Sequence, residues 1–111
     1  MHAAAAFTPE GKLLCAREEV GRHNAADKLI GWSAMQRVSL EAAVVLVSGR
    51  VAFEITQKCV LAKILVLCAI GAPSSLAVQM AVRYDLTLIG FLRGETVNVY
   101  SAPEQISRPI A

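Results

Sequence analysis

The chain has 111 residues, of which 55% are apolar, 18% charged and 5% aromatic. That composition fits one domain with a single core and excludes both a two-domain arrangement and intrinsic disorder. Eleven basic residues against nine acidic ones give a net charge of +2. The basic residues are scattered, which excludes a broad nucleic-acid surface but leaves room for a local phosphate site.

Apolar runs over 3–7 and 12–18 flank Thr8-Pro9-Glu10-Gly11, where Pro at the second position and Gly at the fourth suit a type I turn; a β-hairpin is expected. Asn24 with Asp27 resembles a capping pair, and Ala26, Leu29, Ile30, Ser33 and Ala34 recur at helical spacing, which predicts a helix over 24–36. Ala43 to Val47 reads as a strand covered on both faces, ending at Ser48-Gly49-Arg50. Ala52, Ile55, Cys59 and Ala62 form the next helical stripe, weakly supported by Glu54 four residues before Lys58. Ile64 to Ile70 is a further buried strand, and Gly71 to Ser75 breaks the pattern. A serine-capped helix then carries Leu76, Ala77, Met80, Ala81 and Tyr84 on one face. Leu86 to Leu92 is a strand, and Thr96 to Tyr100 alternates like an exposed edge, followed by an irregular tail from Ala102.

The order β-β-α-β-α-β-α-β-β predicts an α/β domain over residues 1–111. Strands joined through single helices run parallel with right-handed crossovers, giving a three-layer mixed sheet with helices on both faces. The longest apolar stretch, Cys59 to Ala72, contains Lys63 and falls short of the roughly 20 residues of a membrane span. The opening residues lack the pattern of a secretory signal, so no membrane contact and a cytoplasmic location are expected. Cys15, Cys59 and Cys68 are odd in number and lack CxxC or zinc spacing. They are read as core residues of a reduced protein, with Cys15 alone considered for reactivity.

Ligands of such sheets bind beyond the carboxyl ends of the parallel strands. Val20 to Asn24, Ser48-Gly49-Arg50 and Ala72-Pro73-Ser74-Ser75 all fall there. Ser48, Gly49 and Arg50 combine a hydroxyl, a permissive backbone and a guanidinium suited to phosphate, or form a plain turn with a solvated arginine. Ser74 and Ser75 are ligand contacts or a plain helix cap. His23, Asn24 and Asp27 form a polar ligand site or a helix-start network, and Arg93 is a rim cation or a turn residue. The chain has no GxxxxGK[ST], no HxE with PCxxC and no GxSxG, which argues against P-loop, zinc-deaminase and serine-hydrolase chemistry.

The segment Arg17-Glu18-Glu19-Val20-Gly21-Arg22-His23-Asn24-Ala25-Ala26-Asp27-Lys28-Leu29-Ile30-Gly31 resembles the signature of the formate dehydrogenase accessory sulfurtransferase family. Ser48-Gly49-Arg50 with Glu54 and Lys58, Ala72 to Val78, and Gly90-Phe91-Leu92-Arg93 resemble its later motifs in the same order, and His2 with its alanines resembles the start of the region. The resemblance implies a cytidine-deaminase-like fold without a protein-bound metal and a homodimer. It also implies a role in taking sulfur from a cysteine desulfurase to the bis-molybdopterin guanine dinucleotide cofactor of formate dehydrogenase, with GDP as a mimic of the bound nucleotide. His23, Asn24, Asp27, Ser48, Gly49, Arg50, Pro73, Ser74, Ser75, Gly90, Phe91 and Arg93 are the implied cofactor contacts. The family's CxxC precedes the matched region, so sulfur transfer by this polypeptide alone is not expected. Two other readings stand beside this one: a non-catalytic dimerisation or docking module, and a small zinc-free hydrolase on a deaminase-like fold.

Overall fold

The computed structural model describes residues 2–19, 24–91 and 97–101. The elements are β1 (His2–Phe7), β2 (Leu13–Glu19), α1 (Asn24–Gln36), β3 (Val44–Val47), α2 (Phe53–Leu61), β4 (Val66–Ala69), α3 (Ser75–Arg83), β5 (Thr87–Phe91) and β6 (Val97–Ser101), in the expected order. The hairpin turn closes with the Gly11 N–H on the Thr8 carbonyl at 2.9 Å, and Gly11 takes a φ of +96° that a side chain would resist.

The six strands form one mixed sheet in the order β2-β1-β3-β4-β5-β6. β3, β4 and β5 are parallel, while β1 runs antiparallel to both β2 and β3, and β6 antiparallel to β5. A parallel array thus sits at the centre, and β6 is an edge, as its alternating sequence suggests.

The helices do not lie on both faces, as the three-layer expectation had it. Ala25 and Leu29 of α1, Ile55 and Cys59 of α2, and Ala77 and Ala81 of α3 enter one buried cluster with Ala4, Ala6, Val45, Val47, Leu67, Ala69 and Leu88. Those strand residues share one face of the sheet. The cause is the strand order: β2 to β3, β3 to β4 and β4 to β5 all step the same way across the sheet, so right-handed crossovers place every helix on the same side. On the other face Ala3, Ala5, Phe7, Val44, Leu46 and Val66 are half-buried. β3 is therefore covered on one face by the described residues. None of the described helices is long and apolar enough to cross a membrane.

Each helix ends with a non-glycine residue in the left-handed region: Arg37 at φ 56°, Lys63 at 62° and Asp85 at 58°. After α2 the Ile64 N–H reaches the Cys59 carbonyl at 2.9 Å and the Lys63 N–H reaches Val60 at 3.1 Å, the paired bonds of a Schellman ending. An apolar residue follows each reversal, Val38, Ile64 and Leu86, and the last two are buried. A side chain in this conformation costs about 1 kcal/mol relative to glycine. Lys63→Gly, at an exposed position, is expected to raise unfolding free energy by about that amount in urea denaturation, with an unchanged denaturant slope.

Candidate functional site

The site forms where β3 and β4 end. Beyond the strands the backbone continues to pair: the Ile70 N–H donates to Val47 at 3.2 Å, Gly71 to the Gly49 carbonyl at 2.8 Å, Val51 to Ala72 at 3.3 Å and Ser74 to Val51 at 2.9 Å. This holds the loop 48–50 beside the loop 72–74. β1 joins from the other side, with the Ser48 N–H on the Ala3 carbonyl at 2.9 Å and the Ala3 N–H on Ser48 Oγ at 2.8 Å.

The three segments enclose a cavity of about 430 Å³ lined, among the described residues, by His2, Ser48, Gly49, Arg50, Val51, Ala52, Ile55 and Ser74. Its volume lies in the lower part of the range for small-molecule sites, roughly 300–1,000 Å³. Ser48 Oγ accepts from Ala3, and Ser74 Oγ caps α3 by accepting from the Ala77 N–H at 3.1 Å. Each oxygen is thus engaged as an acceptor, leaving its hydroxyl hydrogen to donate into the cavity. The first turn of α2 opens on the same space, and its N-cap, Ala52, has no side-chain cap. Unpaired N–H groups there add partial positive charge. The described lining contains no carboxylate. Donors with the Arg50 guanidinium line one part and Val51 and Ile55 another, an arrangement that accepts an anionic group with an apolar or aromatic appendage.

The structure brings together Ser48, Gly49, Arg50 and Ser74 from the sequence-derived set, and Pro73 sits beside them in a parallel bridge with Val51. Ser75 begins α3 and is exposed outside the described lining. Asp27 is turned to the helix layer, where its carboxylate holds Lys58 of α2 at 2.9 Å. Lys58 therefore does not serve the Glu54 spacing proposed for it. Gly90 lies on the helix side of β5, where a Cβ would come within 2.8 Å of the Tyr100 ring; it makes room for that ring. His23 and Arg93, and the side chains of Asn24 and Phe91, lie outside what is described. Sequence reasoning missed His2. The available signal was that an antiparallel first strand begins at the rim where its parallel neighbours end. Among the described residues no cluster of three or more His, Cys, Asp or Glu could hold a metal ion.

A family model described as the FdhD/NarQ family matches residues 1–107. The chain belongs to this family. Proteins called sulfur carrier protein FdhD are 52% identical over 108 residues in Mycobacterium tuberculosis and 45% identical over 107 residues in Saccharolobus solfataricus. Each match covers 96% of this chain, but only 39% and 42% of the relative. A crystal structure described as a formate dehydrogenase accessory protein, from Desulfotalea psychrophila, superposes with a TM-score of 0.87 at 35% identity, over 96% of this chain and 47% of that one. The chain thus spans about two fifths of the length of these curated family members.

Cys15, Cys59 and Cys68 are all free and buried. Burial pushes the Cys59 thiol up to about 12 and the Cys68 thiol up to about 11, from an ordinary 9.0. A sulfur carrier attacks as thiolate, so these two thiols are poor candidates for that role. At pH 8 a maleimide is expected to label Cys68 roughly 100-fold more slowly in the native protein than in urea, the ratio of the thiolate fractions. Because both folded values are raised, their contribution to stability is fully present below about pH 9 and is lost as pH rises toward 11 and 12. Replacing both with alanine is expected to flatten that alkaline decline in pH-dependent denaturation.

Proposed function

We propose that this chain is the ligand-binding part of a formate dehydrogenase accessory protein and holds the guanine nucleotide portion of the bis-molybdopterin guanine dinucleotide cofactor. The observation that carries this reading is the donor-lined cavity at the ends of β3 and β4, with Arg50, Ser48 and Ser74 on one rim and no described carboxylate among them. Phosphate oxygens need convergent N–H and O–H donors with positive charge. Val51 and Ile55 offer the apolar wall a base or sugar packs on. About 430 Å³ suits a mononucleotide portion, leaving the rest of a dinucleotide cofactor outside.

The bound cofactor would supply the molybdenum and the sulfur-accepting chemistry; this chain's residues bind and orient its nucleotide. Family relatives named as sulfur carriers are more than twice as long, and sulfur carriage belongs in this reading to a part outside the matched segment, served by a cysteine desulfurase and delivered to formate dehydrogenase. A cytoplasmic homodimer is the proposed working form. An antiparallel strand beside three parallel ones supports the relation to cytidine-deaminase-like folds.

Titration calorimetry with GDP tests the reading. The protein is expected to bind it, and a combined Arg50→Ala and Ser74→Ala variant is expected to lose roughly 100-fold in affinity, two charge-assisted or hydroxyl bonds together. Wild-type affinity in that variant would overturn the site, and absence of GDP binding by the wild type would overturn the ligand.

A further inference from the structure

We propose that His2 is a direct ligand-contacting residue of this cavity, its imidazole N–H donating to the same anion as Arg50. The inference rests on the anionic-ligand reading and extends it to a group outside the loops that resemble family motifs.

Three observations place the imidazole there. His2 lines the cavity with Ser48, Arg50 and Ser74. Its neighbour Ala3 is locked to Ser48 by two reciprocal hydrogen bonds, which fixes where the His2 side chain starts. Its Nδ1 lies 3.9 Å from the point where a Cβ on Gly49 would be, so the ring stands over the Gly49 backbone. Among the described residues nothing bonds to the imidazole, and nothing bonds to the Arg50 guanidinium. Two donor groups without protein partners therefore converge on one space, where an anion satisfies both.

The charged groups around the ring come from three elements. Glu19 of β2 is its register partner and is held by Lys28 of α1 in an ion pair. Arg50 comes from the loop after β3, while Ile55 of α2 and Ser74 before α3 add no charge. The Glu19 carboxylate is engaged with Lys28, so the ligand is the partner left for the imidazole N–H.

Sulfate is a suitable probe because it offers anionic oxygens without a base or sugar. In NMR titrations sulfate is expected to shift the His2 ring and Gly49 amide signals. His2→Ala is expected to weaken both sulfate and GDP roughly 10-fold, and His2→Gln, which keeps a donor, is expected to restore part of that loss. Unchanged affinities in His2→Ala would overturn the proposal, as would wild-type sulfate shifts confined to other residues. Sulfate held by His2 but not displaced by GDP would support this inference and remove the nucleotide reading instead. His2→Ala changes a half-buried side chain with no described partner, so retained amide dispersion is the expected sign of an intact fold.

Discussion

The architecture of the site depends on parallel pairing that does not stop where β3 and β4 stop. Backbone groups leaving a sheet must find other partners, and here the loop after β3 and the loop after β4 satisfy each other through Gly71 to Gly49, Val51 to Ala72 and Ser74 to Val51. The two loops therefore keep the spacing of neighbouring strands, and Ser48, Arg50 and Ser74 stand on a common rim. Order prepared in this way does not have to be imposed on binding. Ser48 is the joint of the system: its N–H and its Oγ both tie to Ala3, so β1 is bolted to the same rim.

Much of this was legible in the sequence because it rests on local signals. The helix over 24–36 followed from apolar spacing, the hairpin from Pro9 and Gly11, and the cap of α3 from serines before a helical stripe. That Ser48, Gly49, Arg50 and Ser74 lie together was legible because they follow neighbouring parallel strands. What escaped depends on pairings distant in sequence. The helices fall on one face because β2 to β3, β3 to β4 and β4 to β5 all step the same way across the sheet, and no local pattern encodes that order. Asp27 looked like a helix-start ligand, yet its partner is Lys58, 31 residues away. His2 reaches the cavity only because β1 runs opposite to its neighbour. The helix ends at Arg37, Lys63 and Asp85 carry no glycine, so the usual stop signal was missing.

The one-sided helix layer also explains how the cysteines are placed. Cys15 and Cys59 point into the helix-side cluster. Cys68 sits on the other face, buried beside Phe7, Val44 and Leu46 around a shallow groove. Desolvation acts on the thiols of both Cys59 and Cys68, because an apolar sheet shields side chains even where no helix covers it. Hydrophobic packing and nucleophilic sulfur make opposite demands on a cysteine, and these positions meet the first.

A net charge of only +2 is no obstacle to an anion site, because the local field depends on which charges lack partners. Lys28 is neutralised by Glu19 and Lys58 by Asp27, and both pairs hold α1 in place against β2 and α2. Arg50 has no such partner among the described residues, and it faces the cavity together with the His2 imidazole, two hydroxyl donors and an uncapped helix start. The protein thus spends its paired lysines on docking the helix layer and leaves its unpaired donors at the rim. Scattered charge in the sequence and concentrated charge at the site are consistent once pairing is taken into account.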